Sequence, residues 1–180
     1  MSRYVAFLRG INVGGHRVTS EGLRSCIEEL GFRDVSTFRA SGNLIFDGGR
    51  ESAEKVAGRI EQGLAASLGY EVPAFVRTAA ELEGIAKHEP FPAKLVKASG
   101  GKLQVVLLSA KPKAQTKQKA LALATDEDRL AIRERELYWL PSGGLMDAAL
   151  DLKEIERLLG SNTMRTKSTV DQIAAKYFSG

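Results

Sequence analysis

Hydrophobic positions change their period several times along the first part of the chain, and each change predicts an element. Tyr4–Leu8 is an unbroken apolar run, the pattern of an interior strand buried on both faces. Leu23, Cys26, Ile27 and Leu30 follow at helical spacing, with Ser20 as the expected N-cap and Gly31 as the stop. Val35–Ala40 and Leu44–Phe46 read as short strands joined at Ser41-Gly42-Asn43, a composition that favours a two-residue hairpin. Val56, Ile60, Leu64 and Leu68 step by four along a second helix ending at Gly69, and Pro73–Arg77 supplies another strand. The order is β-α-β-β-α-β, a recurrent supersecondary unit.

The rest of the chain repeats that order with different residues. A linking helix over Ala80–Lys87 is broken by Pro90-Phe91-Pro92. Leu103–Leu108 reads as a strand, Lys113–Ala124 as a helix, and Arg129–Arg133 with Leu137–Leu140 as a hairpin on which Tyr138 and Trp139 face opposite sides. Leu152, Ile155, Leu158 and Leu159 then point inward from a helix ending at Gly160. Thr163–Arg165 forms a short final strand, and Val170, Ile173, Ala174 and Tyr177 share a face of the last helix. The predicted fold is α+β: two tandem ferredoxin-like (βαββαβ-type) units, residues 1–79 and 80–180, each with helices packed on an antiparallel sheet.

Composition changes this picture little. At 180 residues, 43% apolar and 27% charged, the chain can bury a core without a disulfide or metal staple. Its single cysteine, Cys26, lies on the apolar face of its helix, and His16 and His88 lack metal-ligand spacing, so neither metal nor cofactor is expected. No apolar run approaches the roughly 20 residues of a membrane span, which leads to the expectation of a soluble, cytoplasmic protein.

Charge is more informative. Residues 90–125 carry Lys94, Lys97, Lys102, Lys111, Lys113, Lys117 and Lys119 and no Asp or Glu, a charge of +7 in a chain whose total is +4. A solvated lysine face is the common meaning of such a run, and nucleic-acid phosphates are the alternative. The aromatic pattern of an RNA-binding sheet is absent around Ala6-Phe7-Leu8 and Leu44-Ile45-Phe46.

Gly10-Ile-Asn-Val-Gly14-Gly15-His16-Arg17 follows a strand with the glycine spacing of a phosphate loop, but His16 and Arg17 stand where Lys and Ser or Thr are required. Nucleotide hydrolysis is therefore not expected. Glycines still let backbone N–H groups approach an anion, although tight turns are their commoner use. If the first strand is central, its end lies beside the hairpin, and Arg9, Asn12, Arg39, Ser41 and Asn43 share one polar, carboxylate-free surface. Near Arg165 and Lys167, Ser168-x-x-Asp171 and Thr169-x-x-Gln172 have capping-box spacing, which explains those hydroxyls structurally.

Two segments carry a resemblance. Tyr4-Val5-Ala6-Phe7-Leu8-Arg9-Gly10-Ile11-Asn12-Val13-Gly14-Gly15 and Val35-Ser36-Thr37-Phe38-Arg39-Ala40-Ser41-Gly42-Asn43-Leu44-Ile45-Phe46 are similar to the LLRGINVGG-like opening and SGN-containing hairpin of a bacterial family, domain of unknown function 1697. Glu89-Pro90-Phe91-Pro92, Arg165 and Thr169-Val170 resemble its later elements. The chain departs from the family pattern at Lys167, where an aromatic is usual, and at Gly144-Leu145-Met146-Asp147, where a more basic segment is usual. The resemblance implies a cytoplasmic protein and no established activity.

The leading expectation is binding of a small anionic or phosphorylated ligand by Arg9, Asn12, Gly14, Gly15, Arg39, Ser41, Gly42 and Asn43, with Arg165 peripheral. Competing readings are nucleic-acid binding through the 94–119 lysines and a protein-interaction module using exposed sheet edges. The chain is expected to be a monomer or weak homodimer, and no reaction is assigned.

Overall fold

A computed structural model of the chain describes residues 2–141 and 150–179. The departure at Gly144–Asp147 lies outside the described residues. The chain divides into two compact units, Met1–Glu83 with Tyr177–Gly180, and Gly84–Lys176. The sequence expectation set the division at 79/80 and assigned the last residues to the second unit.

The first unit contains β1 (Ser2–Leu8), α1 (Ser20–Glu29), β2 (Arg33–Thr37), β3 (Asn43–Gly48), α2 (Ala53–Leu68) and β4 (Ala74–Thr78). Its sheet has the order β2-β3-β1-β4 and is antiparallel throughout. Period-two alternation sends Tyr4, Ala6 and Leu8 to the helix-bearing face, where they meet Leu23 and Ile27 of α1 and Val56, Ile60 and Leu64 of α2. Each fully buried aliphatic side chain of this kind contributes about 1.5–3 kcal/mol. Val5 and Phe7, on the opposite face, are buried as well, as the unbroken apolar run requires.

The second unit contains β5 (Gln104–Leu108), α5 (Ala114–Leu121), β6 (Asp128–Arg133), β7 (Glu136–Pro141), α6 (Leu152–Leu159) and β8 (Asn162–Thr166). Its sheet order, β6-β7-β5-β8, is that of the first unit with β5 in the place of β1. Val106, Leu108, Ile132 and Leu137 pack against Ala120 of α5 and Ile155 of α6. The α+β class and the tandem ferredoxin-like architecture are as the sequence pattern predicts. α3 (Ala79–Lys87) and α4 (Ala93–Ala98) precede β5, and α7 (Lys167–Ile173) runs into a π-helical turn at Ala174–Phe178.

Several local expectations need correction. Thr19, one residue earlier than expected, caps α1 by accepting from Gly22 N. Thr166 caps α7 by accepting from Thr169 N, so neither capping-box spacing supplies the N-cap. Leu152 is exposed at the start of α6, where its first turn turns outward. Tyr138 and Trp139 are both buried, as are all six residues of β7, so both faces of this strand are covered, the Tyr138 ring lying 5.0 Å from that of His88. Trp139 Nε1 finds its acceptor in the buried Asp128 carboxylate at 2.8 Å. α4 has no buried residue and hence no apolar period to announce it.

Candidate functional site

Antiparallel pairing decides which loops meet. Phe7 of β1 pairs with Asn43 of β3, so the β2–β3 connection emerges at the C-terminal end of β1, where the β1–α1 connection also begins. Leu8 N donates to Gly42 O at 2.8 Å, and Asn12 Nδ2 donates to Ala40 O at 3.2 Å. The two segments singled out in the sequence are thus joined at one end of the first sheet.

The hairpin is not the two-residue turn that Ser41-Gly42-Asn43 suggested. Thr37 pairs with Leu44, so the connection is residues 38–42, five in all, and Asn43 is the first residue of β3. Asn43 is completely buried, and its Nδ2 donates to Phe38 O at 2.7 Å and Ser41 Oγ at 3.0 Å. That amide holds the loop's two ends together. Arg39 takes φ +62° and Gly42 φ +86° to turn the chain. A Cβ at Gly42 would come within 3.0 Å of Leu8 Cβ and Ile11 Cγ2, so this position needs glycine for its backbone and for its space. Arg39 and Ser41 are exposed, with the Arg39 guanidinium 5.3 Å from the Phe38 ring centroid.

The glycine loop is equally tied down. Val13 to His16 is a turn closed by His16 N donating to Val13 O, with Gly14 at φ +62° and Gly15 at φ +86°. Positive φ at both central positions defines a type I′ turn, which accounts for the two glycines through turn geometry. Asn12 accepts from Val18 N at 2.8 Å while donating to Ala40 O, so both ends of its amide are engaged. Arg17 donates to Asn12 O and His16 O, Tyr70 Oη donates to Ile11 O, and His16 stacks on Tyr70 with ring centroids 3.7 Å apart. Gly14, Gly15, His16 and Arg17 remain exposed, and Arg9 is half-buried.

Neither loop contains Asp or Glu, while Arg9, Arg17 and Arg39 supply three permanent positive charges. A surface of fixed backbone N–H groups, guanidinium groups and a hydroxyl suits an anion. Arg165 is a different case. It lies on β8 of the second unit, where its guanidinium donates to Thr163 Oγ1 at 2.8 Å and Met164 O at 2.9 Å. Burial lowers its pKa to about 10. These two bonds tie it to its own strand. Among the described residues, no three His, Cys, Asp or Glu side chains gather as a metal site, and no helix is long and apolar enough to cross a membrane.

Comparison with known proteins bears on the family. A family model described as "Protein of unknown function (DUF1697)" matches residues 1–138. The chain belongs to this family. The match contains the whole βαββαβ segment of the first unit, both loops included, and ends within β7. Among solved structures, the conserved bacterial protein SP0830 from Streptococcus pneumoniae superposes with a TM-score of 0.78 over 97% of this chain and 97% of its own, at 19% identity. At that identity the likeness speaks for the fold alone, which the DUF1697 chain shares with it over 97% of its length. No curated protein matches the chain. No activity is established for the family, so the site must be argued from its own chemistry.

Proposed function

We propose that this DUF1697 chain binds a small anionic, phosphorylated ligand on the two loops at the C-terminal end of β1. The observation that carries the reading is a difference in loop length at equivalent places. The β1–α1 connection is residues 9–19, eleven in all, whereas β5–α5 is residues 109–113, five. The β2–β3 connection has five residues, and β6–β7 has two, Glu134 and Arg135. The second unit thus closes the same topology with minimal loops, and the additional residues of the first are not required to build it. They are free of carboxylates and carry Arg9, Arg17 and Arg39.

In this reading Arg9, Arg39, Ser41 and the N–H groups of Gly14 and Gly15 contact the ligand. Asn12, Gly42 and Asn43 are positioning residues that hold the two loops in register. The chain works in the cytoplasm, where phosphorylated metabolites occur and a lone thiol such as Cys26 stays reduced. The lysine-rich run supports a nucleic-acid reading less well. Lys94, Lys97 and Lys102 precede β5, and Lys111, Lys113, Lys117 and Lys119 follow it, so the strand separates two groups.

The test is thermal unfolding with pyrophosphate, ADP, glucose 6-phosphate, heparin and a short RNA, at low and high salt. A ligand at 100 times its Kd adds about 2.7 kcal/mol, which raises Tm by roughly 5–10 °C in a chain of this size. The proposal expects a shift from at least one small phosphate that survives salt and falls about tenfold in affinity in Arg9→Ala and Arg39→Ala. Shifts from every polyanion that salt abolishes would favour the lysines instead. A mass that rises with concentration and no shift from any small phosphate would favour an interaction module.

A further inference from the structure

The C-terminal residues from Tyr177 onward belong to the first unit, and Arg3 holds them there. Arg3 alternates with Tyr4 along β1, so it stands on the face of the sheet turned away from α1 and α2. Its Nε donates to Tyr177 O at 3.2 Å, while its Nη1 donates to Asp47 Oδ1 at 2.8 Å and to Asp34 Oδ2 at 3.0 Å. Its guanidinium carbon lies 5.9 Å from the centroid of the Phe178 ring. One cation thus ties β1, β2 and β3 to the end of the chain.

The residue whose carbonyl Arg3 fixes carries a ring that reaches the β2–β3 connection. Tyr177 meets Phe38 edge to face, with ring centroids 6.3 Å apart and planes at 84°. The Arg39 guanidinium rests over the same Phe38 ring, within cation–π reach. Asn43 holds the backbone of Phe38 from both sides: the Phe38 N–H donates to Asn43 O at 3.0 Å, and Phe38 O accepts from Asn43 Nδ2 at 2.7 Å. Backbone and ring of Phe38 are therefore held by different partners, Asn43 and Tyr177.

Arg39 is where this support matters. A long side chain at φ +62° is strained, and such a conformation persists only where its surroundings impose it. The side chain is also exposed, and a mobile arginine gives up many rotamers when it meets an anion. A guanidinium already resting on a fixed ring gives up fewer. Contacts run without a break from Arg3 through Tyr177 and Phe38 to Arg39.

We propose that Tyr177 is a positioning residue of the anion surface: its ring edge fixes Phe38 as the platform on which the Arg39 guanidinium is set out for a phosphate. This role rests on the anion reading above and extends that site to the C-terminal segment.

The test uses the full chain. Pyrophosphate, ADP and glucose 6-phosphate are the probes in isothermal titration, and amide hydrogen exchange is read without ligand. Tyr177→Leu, which keeps apolar bulk and removes the ring, is expected to speed exchange at residues 38–42 and to weaken phosphate binding about fivefold. Tyr177→Phe keeps the ring and should restore both. In an Arg39→Ala chain, already about tenfold weaker, Tyr177→Leu should cost nothing more, because residues acting through one contact do not add. Losses that multiply to about fiftyfold would overturn the proposal, since Tyr177 would then act independently of Arg39. Unaltered exchange at 38–42 in Tyr177→Leu would overturn it as well. If none of the three phosphates binds the unaltered chain, the anion reading falls and this role with it. Binding that is indifferent to Tyr177→Leu overturns this role alone.

Discussion

The same strand order is built twice in this chain, and the two copies treat the end of their central strand differently. In the first unit Leu8 N donates to Gly42 O, and in the second Leu108 N donates to Arg135 O, at 2.8 and 2.9 Å. These bonds occupy the same place in each topology, just ahead of β3 and of β7. Arg135 closes a two-residue turn whose only unusual backbone is Glu134 at φ +53°. Gly42 closes a five-residue loop that packs beneath Ile11 of a second, longer loop. One end is a minimal closure. The other is a constructed surface, held by two amide side chains and a Tyr–His stack. Topology therefore explains the second unit's connections and leaves the first unit's unexplained.

The largest expected effect tests this contrast at its centre. Gly42→Ala forces a Cβ into contact with Leu8 and Ile11 at a positive φ, and should destabilise the chain by about 3 kcal/mol. Arg135→Ala, at the equivalent place, should change stability by less than about 0.5 kcal/mol. Urea midpoints followed by circular dichroism measure both. Equal losses would mean that the two ends are alike after all.

Asn43→Ala comes next. Its buried amide donates to Phe38 O and Ser41 Oγ, and losing these bonds should cost about 2 kcal/mol. Hydrogen exchange should speed up across residues 38–43 while the Glu134–Arg135 turn stays as protected as before. Faster exchange at both hairpins would show that Asn43 supports the fold at large rather than this loop.

The strands and long helices were legible in the sequence because one physical signal, burial of a periodic apolar face, produces both the pattern and the structure. Where burial takes another form, the pattern misleads. Tyr138 and Trp139 read as alternating inward and outward, but β7 is buried throughout. α4 buries nothing and left no trace in the apolar period. The candidate surface was legible in its residue types and its lack of carboxylates. What could not be read was the employment of its amides. Asn12 bonds to a carbonyl 28 residues away, and Asn43 belongs to β3 instead of the turn, both matters of register rather than composition.

The smallest effect concerns the second unit, where the His88 ring lies 5.0 Å from that of the buried Tyr138. Burial, then Arg133 and Lys167, hold its pKa below the usual 6.5. Unfolded, it takes up a proton at higher pH than it does folded. As pH falls from about 6.5 toward the lowered value, the unfolded state binds more protons and stability declines; above that window both states are neutral and the contribution vanishes. His88→Gln should flatten this part of the profile. The chain's single tryptophan, Trp139, belongs to the same unit, so urea unfolding followed by its fluorescence between pH 7 and pH 5 reads the affected half. An unchanged slope in His88→Gln would assign the acid sensitivity elsewhere.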